Sequence, residues 1–147
     1  MKKITITQIS EKKIKAGNPL LQMEDFPNEL SFDEGELVEL VDSRQKFVAK
    51  AYLAKQNKGV GWVFSLDNAD SFNEAFFKKQ FEKAKRKRTD LQSDPETTTY
   101  RLFNAEGDGI PGVTIDHYDG FAVVSWYSEG IFRYQTAIIA AFQAVFP

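Results

Sequence analysis

The period of the apolar positions changes along the chain, and each change predicts an element. Between Lys3 and Ile9, Ile4 and Ile6 alternate with Thr and Gln, which predicts a half-buried strand. Residues 11–34 are polar, and Pro19 and Pro27 limit any helix among them to a turn or two. Strands then dominate. Residues 36–53 read as a hairpin that turns at Asp42-Ser43-Arg44-Gln45, and Asn57-Lys58-Gly59 leads into a further strand, Val60-Gly61-Trp62-Val63-Phe64-Ser65. Short strands with turns about every eight to twelve residues predict a small barrel over roughly residues 1–66.

After residue 70 the period becomes helical. Ser71-Phe72-Asn73-Glu74 has the spacing of a capping box, in which serine and glutamate each satisfy a free backbone N–H. Phe77, Phe81, Ala84 and Leu91 then recur at helical spacing beside Phe72 and Phe76, so the expected helix runs to about Leu91 with one broad buried face. Asp94-Pro95 ends it and begins a polar link to a strand at Thr98. Glu106 to Tyr118 begins as a glycine-rich loop: Gly107, Gly109 and Gly112 adopt positive φ at little cost, and Pro111 fixes the backbone between two of them. A strand follows from Val113, and Asp119-Gly120 is a hairpin turn into Phe121–Trp126. Ile131 through Phe146 reads as one helix whose apolar residues cover nearly every face; such a helix expects burial on more than one side, against a neighbouring domain or a second copy in a homodimer.

Charge sharpens this picture. From Lys78 to Arg88 there are seven cations, Lys78, Lys79, Lys83, Lys85, Arg86, Lys87 and Arg88, against Glu82. That local balance of +6, within a chain of net charge −2, leaves −8 on all other residues. Cations concentrated on a solvent face of a helix neutralise phosphates, with an affinity that falls as salt rises. The plainer reading is a solvated helix end whose cations complement the helix dipole. A pI of about 5.5 argues against tight nucleic-acid binding by the chain as a whole.

With 42% hydrophobic residues the chain has material for an ordinary core, and at this length roughly two thirds of the unfolded surface can be buried. Its apolar runs are too short to span a membrane, and Met1-Lys2-Lys3 is followed by polar residues rather than a signal core, so a cytoplasmic protein is expected. Cysteine is absent, which removes disulfides, thiolate metal sites and cysteine nucleophiles from this chain. No glycine-rich turn follows a buried strand in a helix-flanked order, so no cofactor site is expected. Glu106 and Asp108 oppose a phosphate nest at the glycine loop, and the oxygen ligands do not fall at calcium-loop positions. His117, beside Asp116 and Asp119, has the neighbours of a general base but no identifiable nucleophile; a catalytic residue is not expected. A small hydrolase built on the acidic loop is the weakest functional reading, because turn chemistry accounts for those carboxylates.

The ordered string Glu106-Gly107-Asp108-Gly109-Ile110-Pro111-Gly112, with Tyr100-Arg101-Leu102-Phe103-Asn104 before it and Asp116-His117-Tyr118 after, resembles the segment preceding the catalytic domain of PUA-containing, S-adenosylmethionine-dependent rRNA cytosine-5 methyltransferases. Glu106, Asp108, Gly109, Pro111, Gly112, Asp116 and Tyr118 carry that motif, and Ile110 stands where Leu is usual. Gly35 to Asp42 with Lys46 to Tyr52 looks like the central hairpin of the family's PUA domain. The chain departs from the family at Gly17-Asn18-Pro19-Leu20-Leu21, where a basic residue, His-Pro-Trp and an aromatic are usual. The resemblance implies an α+β chain: a PUA-like β pseudo-barrel at residues 1–66 that binds RNA, then a connecting α/β domain at 67–147, strands around one helix, with the Rossmann-like methyltransferase domain absent. It implies large-subunit rRNA as partner and S-adenosylmethionine as cofactor of the longer protein, this chain binding none itself. It also adds Lys12, Lys13 and Lys15 to the helix cations as candidate RNA contacts. The alternative, from another class, is a stand-alone RNA-binding or protein-interaction module without catalytic activity.

Overall fold

Thr7 decides the path of the N-terminal segment. Its Oγ1 accepts the Ser10 N–H at 3.1 Å and so caps a helix, α1 (Gln8–Lys15). The first strand, β1 (Lys2–Thr5), therefore ends sooner than the alternation of Ile4 and Ile6 predicts. Ile6 and Ile14 enter the core, while Ile9, expected inside the strand, lies on the exposed face of α1 at 82% exposure. The computed structural model describes residues 1–89 and 99–147.

Four more strands complete the first sheet: β2 (Leu20–Leu21), β3 (Leu37–Val41), β4 (Phe47–Gln56) and β5 (Gly59–Ser65). Their order is β1-β3-β4-β5-β2, with β1 parallel to β3 and the other neighbours antiparallel. The predicted hairpin is present, and its turn is held by Asp42, whose Oδ1 accepts the N–H groups of Arg44 (2.8 Å) and Lys46 (2.9 Å). Among the described residues no ladder joins β1 to β2, so the strands form an open sheet rather than a ring closed by hydrogen bonds; β2, only two residues long, offers little edge to pair.

In the second half, α2 (Glu74–Lys87) packs beside a meander of β6 (Thr99–Asn104), β7 (Val113–Tyr118) and β8 (Phe121–Trp126). The helix cap is Asn73, not Ser71: Asn73 Oδ1 accepts the Phe76 N–H at 3.0 Å. Phe72 lies 4.5 Å from Phe64 and 5.3 Å from Tyr52 between ring centroids, and its burial carries the chain inward before the helix starts. Leu91, Asp94 and Pro95, with the helix end and link predicted there, lie outside the described residues. The Asp119-Gly120 turn has positive φ at both residues, 43° and 92°, which suits the tight hairpin predicted there.

The predicted C-terminal helix is two, α3 (Glu129–Phe132) and α4 (Gln135–Val145). The break falls at Arg133-Tyr134 because Tyr134 is drawn to the first sheet: its hydroxyl donates to Gly35 O and its ring meets Phe72 edge-on at 4.8 Å. Ile138, Ala141 and Val145 are buried on α4, whereas Phe132 and Ile139 are exposed, so burial follows one face and not all of them.

Two cores flank β4. Val48, Ala49, Ala51 and Leu53 pack with Ile6, Ile14, Leu21, Val38, Leu40 and Val63. Tyr52 and Ala54 point the other way, into a core with Phe77 and Phe81 of α2, Phe103 and Ile115 of the meander, and Ile131 and Ile138. That second core draws on residues from both sides of position 66.

Candidate nucleic-acid interface

The acidic glycine loop is where the two sheets meet. A 3-10 turn at Ala105–Asp108 carries the chain from β6 toward β7. Ala105, Gly109 and Gly112 have positive φ there (47°, 96° and 92°); Gly107 does not. Gly112 has no alternative: a Cβ would lie 2.5 Å from the Tyr52 hydroxyl. That hydroxyl donates to Pro111 O at 2.6 Å in a buried bond spanning the two halves of the molecule. Burial, reinforced by the Glu106 charge and by Tyr134, pushes the Tyr52 phenol far above its ordinary value and keeps it a donor.

Asp108 has the most constrained environment of the loop carboxylates. Its side chain is almost fully buried, accepts the Asn104 N–H at 2.7 Å, and pairs with Arg88 at 2.7 Å and Lys87 at 2.5 Å. Burial alone raises its pKa, but the hydrogen bonds from Arg88, Lys87 and Asn104 outweigh that and hold the carboxyl below the ordinary aspartate range. Arg88 also donates from Nε to Arg101 O at 2.9 Å. Asp116 pairs across the strands with Arg101 at 2.8 Å, Tyr118 is exposed at the hairpin end, and Glu106 is exposed. His117 stacks on Tyr100 at 5.0 Å, and its Nε2 accepts the Gly120 N–H at 3.3 Å.

The cations therefore divide. Lys87 and Arg88 fasten the end of α2 to Asp108. Lys85 donates to Val145 O at 3.0 Å, and Lys79 pairs with Asp70 at 3.2 Å. Lys78, Lys83 and Arg86 are exposed, and their side chains make no ion pair or hydrogen bond with a described residue. On α1, Lys13 is committed to buried Asp25 at 2.8 Å and Lys15 to Glu11 at 2.7 Å, leaving Lys12 exposed without such a partner. Sequence spacing groups these cations by segment but cannot show which are spent on tertiary pairs, because Asp108 and Asp25 are distant along the chain.

Between the sheets lies a cleft of about 610 Å³ lined by the β4–β5 turn, Trp62, Asn104, Glu106, Thr114 and Tyr127 among others. Nothing in the sequence singles out Trp62 and Tyr127; only the folding of one sheet onto the other brings them to one cavity.

The first half is thus a small mixed sheet, bolted through Tyr52 to the glycine loop of a second layer built from α2 and an antiparallel meander. Residues 4–66 match the family model of the PUA-like domain. The chain is homologous to large-subunit ribosomal RNA methyltransferases. It is 41% identical, over 96% of its length, to the provisionally named ribosomal RNA large subunit methyltransferase YwbD of Bacillus subtilis, of which it spans 36%. It is 33% identical over 77% of its length to ribosomal RNA large subunit methyltransferase I of Cronobacter sakazakii, spanning 28% of that protein. Among solved structures, a provisionally named S-adenosylmethionine-dependent methyltransferase from Streptococcus mutans superposes with a TM-score of 0.93 at 42% identity, covering all of this chain and 38% of that one. A methyltransferase solved with S-adenosylhomocysteine gives 0.94 at the same identity and coverage.

The β1–α1 connection does not offer the methyl donor a dinucleotide-type site. The parallel pair β1 and β3 is the arrangement nearest to a nucleotide site, yet β1 passes into α1 through Ile6-Thr7 with no glycine to let backbone approach a ligand. No helix among the described residues is long and apolar enough to cross a membrane.

Proposed function

We propose that this chain is the RNA-binding N-terminal region of an S-adenosylmethionine-dependent rRNA methyltransferase that modifies C5 of a cytosine in large-subunit rRNA in the cytoplasm. The observation that carries the reading is the agreement of the whole chain, in sequence and in backbone, with methyltransferases about three times its length. Residues 1–66 supply the PUA-like RNA-binding domain, and residues 67–147 connect it to the remainder of the longer protein. That remainder binds the methyl donor and supplies the thiolate that addition to a pyrimidine ring requires, since this chain has no cysteine. The exposed apolar side chains Phe121, Val123, Phe132 and Ile139 offer a surface for that remainder to cover. RNA phosphates are met by the unpaired cations, Lys78, Lys83 and Arg86 on α2 and Lys12 on α1, while Lys13, Lys85, Lys87 and Arg88 hold the fold.

Titration of a labelled large-subunit rRNA fragment at several salt concentrations tests the RNA step. Changing Lys78, Lys83 and Arg86 together to Gln should flatten the salt dependence by roughly 0.7 per lost single-strand phosphate contact, or 0.9 per duplex contact. Equal slopes in the two proteins reject this surface. The catalytic step is checked by mass spectrometry of large-subunit rRNA from cells lacking the longer protein: loss of one 5-methylcytidine, restored by the full-length gene, is expected, and an unchanged modification profile refutes it.

A further inference from the structure

The interdomain cleft has a composition that RNA phosphate contacts leave unexplained. Two aromatic side chains enter its lining, one from each half of the molecule: Trp62 on β5 and Tyr127 just after β8. Each has its polar atom bound within the protein. Trp62 Nε1 donates to Gln56 Oε1 at 3.0 Å, and the Tyr127 hydroxyl hydrogen-bonds Thr114 Oγ1 at 3.2 Å. Their backbones are fixed as well. Trp62 sits in the ladder opposite Tyr52 and Leu20, and the Tyr127 N–H donates to Gly112 O at 2.9 Å. Tyr127 nevertheless remains 58% exposed, an uncommon disposition for an aromatic side chain tethered at both ends.

The rest of the lining mixes apolar Leu20 and Ala105 with polar groups: Glu106 brings a carboxylate, Asn104 an amide, and Lys58 and Arg101 cations. Arg101 is committed to Asp116 at 2.8 Å, which leaves Lys58, at the β4–β5 turn, as the cation available to a ligand. The Tyr52 to Pro111 bond and the absence of space at Gly112 keep the two walls at a set separation. A volume of about 610 Å³ accommodates a nucleotide. Immobilised aromatic rings on a cleft edge, with amide and carboxylate groups able to meet a base edge and one cation for a phosphate, are the chemistry that binds an unstacked base of a single strand.

We propose that this cleft is a nucleotide subsite: an unpaired base of single-stranded RNA enters between the two sheets and stacks on Trp62 and Tyr127, with Lys58 meeting its phosphate. The proposal rests on the RNA-binding reading above and adds to it a place where a base, rather than the backbone, is held.

The chain has two tryptophans, so Trp126→Phe leaves Trp62 as the single indole reporter. In that background a labelled single-stranded oligoribonucleotide of about a dozen residues is titrated, following indole emission and RNA anisotropy in the same samples. Saturable quenching of Trp62 that tracks the anisotropy is expected. Tyr127→Ala should weaken binding roughly 5- to 150-fold, the range for loss of one stacked base, while Tyr127→Phe retains most of it. Tyr127 is exposed, so its replacement leaves folding intact, which circular dichroism verifies. RNA bound by anisotropy with no change in Trp62 emission, or equal affinity in Tyr127→Ala, overturns the subsite and leaves the RNA-binding reading standing. No binding by either readout overturns both.

Discussion

Asp108, Tyr52 and Gly112 show how single residues join the halves of this chain. Asp108→Asn removes the charge that Lys87 and Arg88 neutralise and should lower stability by about 1.5–3 kcal/mol in urea unfolding at neutral pH, the range for hydrogen bonds to charged groups. Because the folded carboxyl titrates below its ordinary value of 3.8, its contribution is complete above that value and is lost as pH falls through the depressed folded pKa. The gap between wild type and Asp108→Asn should therefore shrink on acidification. Tyr52 has the opposite sign. Its phenol is raised in the folded state, so its contribution is full below the ordinary value of 10.0 and declines as pH rises above it. Tyr52→Phe should cost about 1 kcal/mol at neutral pH and lessen alkaline destabilisation. Gly112→Ala combines a positive φ with a clash on the same hydroxyl and should cost several kcal/mol by rough count, about 1–3 of it from backbone strain. Its cost should fall in the Tyr52→Phe background, and strict additivity in that double-mutant cycle would show that the hydroxyl is not the obstacle.

At the level of elements, the caps moved where the sequence pattern misplaced them. Ser71 and Asn73 both suit a helix start, and the structure chooses Asn73. Asn73→Ala should lower stability by about 1 kcal/mol and Ser71→Ala by much less, as thermal melts of the two variants will register. The early end of β1 has a like cause: Thr7 satisfies a helix N–H, and that local bond overrides the period-2 pattern through Ile9. By contrast, the β3–β4 hairpin, the buried phenylalanine face of α2 and the Asp119-Gly120 turn were legible in the sequence, since each depends on residues only a few positions apart. The split between α3 and α4 was not, because Arg133 and Tyr134 carry no helix-breaking signal; the break follows from the reach of Tyr134 to Gly35, 99 positions away.

Over the whole molecule, β4 is shared between two cores, so the PUA-like sheet and the layer after it should unfold as one. Far-ultraviolet circular dichroism and tryptophan fluorescence are expected to give coincident transitions, and two separated midpoints would show that the cores are independent. A fragment of residues 1–66 would leave Tyr52, Ala54 and Phe64 without their partners beyond residue 66, among them Phe72, Phe76 and Gly130, and should be much less stable than the chain. The sequence by itself determined the β3–β4 hairpin, the type and buried face of α2, the Asp119-Gly120 turn, the basic character of α2 and the absence of a thiol, because these depend on residue identity and short-range spacing. The tertiary structure alone decided which cations are free, that Asp108 is a buried partner rather than an exposed acid, and that Trp62 and Tyr127 share a cleft. Most of those properties are set by side chains that meet across 9 to 65 positions of sequence, where no local period carries information.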